Sequence, residues 1–134
     1  MKRLEFQAGQ WDAMLAHVAR CLPEEACGLL SGTGEIVKAI YPVTNRVHSP
    51  SRFEMDPKEQ LEVFNLLEEC HLELLGIYHS HPAGPAYPSE TDISSFSYPG
   101  VAYIIWSGMG EMWNVRGFAI EAGSYFQILL DFPG

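Results

Sequence analysis

Positive charge is scarce in these 134 residues. Eight Lys and Arg stand against 17 Asp and Glu, a formal net charge of −9. Phosphate backbones are gripped by clusters of Lys and Arg, and the eight here are scattered, which argues against a nucleic-acid partner. The acidity needs no partner to explain it, since net charge keeps a chain soluble. Cysteine is scarce too. Cys21, Cys27 and Cys70 are odd in number and form no Cys-x-x-Cys pair, so neither a disulfide framework nor a zinc–cysteine site is indicated. A reducing cytoplasm suits that count. No apolar run approaches the ~20 residues that cross a bilayer, and the opening "MKRLEFQAGQWD" lacks the apolar stretch of a secretory signal. Internal repeats, low-complexity tracts and linker-like segments are also missing, which leaves one domain over residues 1–134. At 47% hydrophobic and 19% charged residues, the chain can bury a core without staples.

The apolar pattern predicts strands interleaved with two long helices, followed by a run of strands. Residues 3–6 alternate as a short strand. In residues 8–22, Trp11, Met14, Leu15, Val18 and Leu22 recur at helical spacing until Pro23 stops the helix. "EACGLLSG" reads as a buried strand, with "EIVKAIYPV" as its hairpin partner. "TNRVHSPS" is rich in turn residues, and "RFEM" is a short extended piece. Residues 56–73 predict a second helix with an Asp56 N-cap and Pro57 in its first turn, carrying Leu61, Phe64, Leu67 and Leu74 on one face. "LLGIYHSH" is an apolar strand, and "SETDISSF" a short helix capped by Ser89. "VAYIIWS", "EMWNVRGFAI" and "SYFQILLDF" close the chain as strands, with Tyr103, Trp106, Trp113, Phe118, Tyr125 and Phe126 expected in the core. The expected class is α/β, a mixed sheet flanked by helices.

One stretch carries chemistry. His79 and His81 end a predicted strand, and residues two apart on a strand point the same way, so both imidazoles can reach one ion while Ser80 faces elsewhere. The stiff loop "PAGPAYP" follows, then Ser89 and Asp92, three apart and on one face of a helix start. Asp92 can return toward the histidines as a third ligand. Two histidines and a carboxylate form a catalytic zinc set that leaves one position open. Such a site also needs a carboxylate base that does not bind the metal, and a donor for the oxyanion. Ser89 can be that donor. Glu24 and Glu25, just before a core strand, are the candidates for the base, and periodicity does not choose between them. A lone histidine is more often an ordinary surface or core residue; on that ground His48 is expected at the surface, and His17 and His71 partly exposed. Cys27 reads first as a small core hydrophobe, with a redox-sensitive thiol beside the metal as the sharper alternative.

These residues resemble the JAMM family, also called the MPN+ or JAB1/MPN metalloproteases. The family pattern is an upstream glutamate, then His-x-His, seven residues, and Ser-x-x-Asp. It is met by Glu25 in "EEACGLLSG", "HSH" at 79–81, "PAGPAYP" and "SETD" at 89–92. "SRFEMDPKEQ" and the strand ending "WS" extend the likeness over nearly the whole chain. The resemblance implies an α/β sandwich related to the cytidine-deaminase fold, with one Zn2+ per chain. It implies His79, His81 and Asp92 as ligands, Glu25 as general base and Ser89 as oxyanion stabiliser. It also implies hydrolysis of (iso)peptide bonds at the Gly-Gly tail of a ubiquitin-like or sulfur-carrier protein, because the chain looks like the short prokaryotic members. A thin Gly-Gly tail fits a narrow groove over a metal, with residues 44–55 as a strand-like edge to hold it and Tyr87 as a groove wall. The expected partners exclude nucleic acid and membrane and allow a second copy of the chain as a homodimer.

Three other readings compete. RadC-type proteins, associated with DNA, share the "HPAG…PSETDI" flavour, but the acidic balance opposes them. A non-catalytic MPN scaffold loses metal ligands, and none is missing here. A zinc deaminase needs His-x-Glu and Pro-Cys-x-x-Cys, and neither is present.

Overall fold

The computed structural model describes residues 2–134. Among them are ten elements in the order β1 (Arg3–Glu5), α1 (Gln10–Arg20), β2 (Cys27–Thr33), β3 (Ile36–Val43), α2 (Pro57–Glu69), β4 (Glu73–His81), α3 (Glu90–Ser95), β5 (Ala102–Ser107), β6 (Asn114–Glu121) and β7 (Ser124–Asp131). The strands form a mixed sheet in the order β1-β3-β2-β4-β5-β6-β7. Parallel pairing of β1 with β7 closes it into a barrel, a closure that no local pattern in the chain foretold. Among the described residues no helix is long and apolar enough to cross a membrane.

Alternation along the strands divides the core into two layers. Tyr78, Leu30, Ile104 and Trp106 pack with Met14 and Val18 of α1. Ile77, Leu29, Tyr103, Ile105 and Phe118 face the other way and meet Val63 and Phe64 of α2. The period of two that separates Tyr78 from Ile77 therefore sends every second residue of β4 to the α2 side, His79 among them.

Two contacts shape the middle of the sheet. A Cβ at Gly28 would lie 2.1 Å from the Tyr78 ring, so glycine is what lets that ring cross β2. The Tyr78 hydroxyl then meets His17 Nδ1 at 2.6 Å. His17 is consequently buried, not partly exposed as its helical position implied. The helix start at Asp56 is as expected, its carboxylate accepting from Lys58 N and Glu59 N. The helix ends earlier, at Glu69, and Leu74 belongs to β4. Leu61 is exposed and Leu67 buried, because α2 meets the sheet along a narrow contact. Tyr103, Trp106 and Phe118 are core as expected, whereas Tyr125 and Phe126 stay exposed at the start of β7, beyond the residues 129–131 that pair with β1.

The connection that matters most joins β4 to β5. These strands are parallel, so the chain must cross over the sheet between them. Residues 82–101 make that crossing and contain the Pro-rich loop and α3. It brings α3 back over the end of β4, the kind of crevice in which α/β proteins hold their ligands.

Candidate metal centre

His79 and His81 project from the end of β4 on the same face, as their spacing required. Their Nε2 atoms are 3.0 Å apart. Asp92 Oδ2 lies 3.3 Å from His79 Nε2 and 3.1 Å from His81 Nε2. One ligand atom from each residue falls within 4.8 Å of the others. The surrounding bonds aim these atoms. His81 Nδ1 is 2.8 Å from the Pro85 carbonyl, which can only accept, so Nδ1 carries a proton and Nε2 is the atom left to face inward. His79 is fully buried, its ring 4.7 Å from Phe53 and 4.8 Å from Tyr103.

Asp92 is positioned by the local code of α3. Ser89 caps the helix by accepting from Asp92 N at 3.0 Å, and Asp92 Oδ2 accepts from Ser89 N at 2.9 Å, a reciprocal capping box. Tyr103 donates to Asp92 Oδ1 at 3.3 Å. Burial alone would raise the Asp92 carboxyl, but the imidazoles of His79 and His81, each able to face it with a protonated Nε2 when no cation is bound, outweigh it and hold the group well below the usual carboxylate range. Burial, in turn, keeps His79 below the ordinary imidazole value. Once those Nε2 protons are released, two imidazole lone pairs and a carboxylate converge on one point, a donor set that fits a divalent cation and zinc in particular.

The two glutamates separate. Glu24 is 38% exposed and pairs with His48 Nδ1 at 3.0 Å, which also accounts for His48 at the surface. Glu25 is 4% exposed, and its Oε1 has no hydrogen-bond partner. Desolvation pushes the Glu25 carboxyl up to about 8; His81 pulls it down and Asp92 adds to the rise. Cys27 lies opposite His79 and Ala26 is bonded to Ser80, which sets Glu25 next to His81, beside the donor set without belonging to it.

Its main chain is held from two sides. Ala26 N donates to Ser80 Oγ at 2.8 Å, and Ser80 N to Ala26 O at 3.0 Å. Ser80, which alternation turns away from the ion, thereby fixes the strand next to Glu25. On the other side Glu25 N donates to Ser49 O at 2.8 Å, and Asn45 Nδ2 donates to the Glu25 carbonyl at 3.1 Å. Asn45, Ser80, Phe53 and Tyr103 were not singled out as site residues in the sequence. Their partners lie 20 or more residues away for three of them, so no local spacing announces them.

The expected β2–β4 adjacency is present, with Cys27 opposite His79. The redox alternative for Cys27 fails: the thiol is fully buried against the Val43 carbonyl, and burial pushes it up to about 12, so it stays protonated and inert. Residues 51–55 wall a cavity of about 510 Å³ that also touches Asp92 and Tyr103. Tyr87 does not line it. That ring lies instead over Phe118, with the Arg116 guanidinium 4.9 Å from its centre.

Fold and donor set define an α/β domain that gathers two histidines and a carboxylate over the end of a parallel strand. Residues 7–118 match the family described as prokaryotic homologs of the JAB domain, and the chain belongs to that family. It is 38% identical over 104 residues to the CysO-cysteine peptidase of Mycobacterium tuberculosis, covering 76% of this chain and 71% of that protein. It is 36% identical over 117 residues to the desampylase of Haloferax volcanii, covering 82% and 84%. A solution structure of a Desulfitobacterium hafniense protein superposes with a TM-score of 0.86 at 34% identity, over 97% of this chain and 92% of that one. A JAB1/MPN domain protein from Archaeoglobus fulgidus shares the fold, with a TM-score of 0.62 at 20% identity over 98% and 97%.

Proposed function

We propose that residues 1–134 form one catalytic domain, a zinc-dependent peptidase or isopeptidase. Its substrate is the bond between the C-terminal Gly-Gly of a ubiquitin-like or sulfur-carrier protein and the group attached to it. The observation that carries this reading is the convergence of His79 Nε2, His81 Nε2 and Asp92 Oδ2 within 4.8 Å, beside a buried carboxylate that is not one of them. The named activities of the mycobacterial and haloarchaeal relatives support the substrate class.

In this reading His79, His81 and Asp92 hold one Zn2+. Bound there, zinc supplies a Lewis acid that makes water acidic near neutral pH. Glu25 takes the proton from the attacking water and delivers it to the leaving amine as the C–N bond breaks, and a cation held beside it favours the ionised carboxylate that the task needs. Ser89 Oγ accepts from Asp92 N and keeps its own O–H to donate to the oxyanion. The wall formed by residues 51–55 holds the extended tail. Complete ligands oppose the scaffold reading, and the scattered cations oppose a DNA partner. Three free thiols fit a reducing cytoplasm.

The test has two parts. Elemental analysis is expected to find one zinc per chain, removed by chelation with loss of activity. Mass spectrometry after incubation with a panel of Gly-Gly-tailed carrier conjugates is expected to find cleavage directly after the second glycine. A chain that holds no zinc, or that leaves every conjugate intact, refutes the reading.

A further inference from the structure

Asn45 lies in a turn-rich stretch with nothing in its spacing to mark it, yet its side chain is 6% exposed and fully used. Nδ2 donates to the Glu25 carbonyl and to the Arg52 carbonyl, both at 3.1 Å. Oδ1 accepts from Val47 N at 3.3 Å and Glu54 N at 3.2 Å. Two carbonyls on one end and two N–H groups on the other fix the orientation of the carboxamide and exhaust its two donors and two lone pairs. Three of the four bonds close the neck of loop 46–54, together with the Asn45–Met55 bridge and Arg46 N to Glu54 O at 2.9 Å. The fourth leaves the loop and grips Glu25.

We propose that Asn45 is a positioning residue that couples the substrate-facing wall to the general base. The proposal rests on the hydrolase reading above. Loop 46–54 carries Phe53 against the His79 ring, and residues 51–55 wall the cavity at Asp92. The same loop reaches the Glu25 main chain twice, through Ser49 O on its N–H and Asn45 Nδ2 on its carbonyl. Glu25 Oε1 has no partner of its own, so the carboxylate is placed by its backbone and packing, not by a hydrogen bond at its tip. Holding that backbone is therefore how the fold aims the base. A tail seated against the wall stiffens the loop, and the Asn45 carboxamide passes that order to Glu25. Misplacement of a catalytic group by about 1 Å can cost on the order of 10²-fold in rate.

The test compares Asn45→Ala, which removes all four bonds, with Asn45→Asp, which keeps both acceptor bonds inside the loop and loses both donors, including the one to Glu25. Full-length zinc-loaded protein is assayed on a peptide ending in Gly-Gly-aminocoumarin. Both variants are expected to keep one zinc per chain and to lose about 10–100-fold in kcat. KM is expected to rise with Asn45→Ala, whose wall loosens, and to change little with Asn45→Asp. Amide exchange on the metal-free chains provides a readout that needs no activity. Residues 24–26 are expected to exchange faster in both variants, and residues 46–54 much faster in Asn45→Ala than in Asn45→Asp, which loses the Arg52 bond but keeps those from Val47 and Glu54. A staple that only closes the loop predicts that kcat follows the loosening of residues 46–54, with exchange at residues 24–26 and kcat near wild type in Asn45→Asp. Wild-type kcat in Asn45→Asp, or unchanged exchange at residues 24–26, overturns the proposal. If the wild-type protein neither binds zinc nor cleaves the peptide, the hydrolase reading fails, and the exchange data still decide whether Asn45 holds Glu25. Should Asn45→Ala not fold, Asn45→Asp carries the test alone.

Discussion

Replacing Glu25 by glutamine should make the metal-free protein more stable at alkaline pH while destroying its activity. Folding takes this carboxyl from a group that ionises near 4.5 to one that ionises near 8, with desolvation as the main cause. The folded chain therefore keeps a proton that the unfolded chain releases. That contribution to stability is fully present below the unfolded value and is lost as pH rises through the folded one. At 1.36 kcal/mol for each tenfold change in proton affinity, the wild type should lose about 3–4 kcal/mol relative to Glu25→Gln between pH 5 and pH 9. The remaining titrating groups are common to both chains and largely drop out of the difference. Urea denaturation of both chelated proteins at pH 5, 7 and 9 measures it, with the slopes checked for equality. Zinc loading should narrow the gap, since a cation near His81 favours the ionised carboxylate. Hydrolysis by the zinc-loaded variant should fall ~10²–10⁴-fold with zinc retained, the usual worth of a general base. Parallel stability curves for the two metal-free chains would refute the burial argument. A variant that hydrolyses at the wild-type rate would remove Glu25 from the mechanism.

Further outcomes follow from single contacts. His79→Ala removes a fully buried donor and should abolish both stoichiometric zinc and hydrolysis; retention of one zinc per chain in elemental analysis would dismiss the ligand set. Ser80→Ala strands the Ala26 N–H inside the protein, where Ala26 is 1% exposed, and should cost about 1–3 kcal/mol in urea denaturation. A loss below about 0.5 kcal/mol would mean that another acceptor replaces the hydroxyl. Gly28→Ala drives a methyl group into the buried Tyr78 ring and should destabilise by about 1–3 kcal/mol, with loss of the His17–Tyr78 contact. A melting temperature equal to wild type would show that the ring can move aside.

Much of the site is legible in the residue order, because its parts obey local rules. A strand alternates every second residue, so His79 and His81 had to share a face. A helix N-terminus offers unpaired N–H groups, so Ser89 and Asp92 at a spacing of three had to form a cap. Those rules stop where contacts reach across the chain. Glu24 and Glu25 are neighbours with the same chemistry, and only the placement of β2 beside β4 and the loop bearing His48 and Ser49 turns one outward and one inward. His17 looked half-exposed until Tyr78, 61 residues away, covered it. Tyr125 and Phe126 looked like core because aromatic strand residues usually are, but β1 pairs only with residues 129–131 of β7 and the start of that strand stays open to solvent.

The amino-acid order by itself determined the kinds of donor present and their facing on β4 and α3. Each is a consequence of backbone geometry within a dozen residues. Tertiary structure alone decided that β4 and β5 run parallel with a crossover between them, that the barrel closes, that Glu25 and not Glu24 is buried, and that Asn45 joins a distant loop to it. Hydrogen bonds and burial between segments far apart in sequence depend on where the whole chain has folded, and no periodicity of two or 3.6 residues records that.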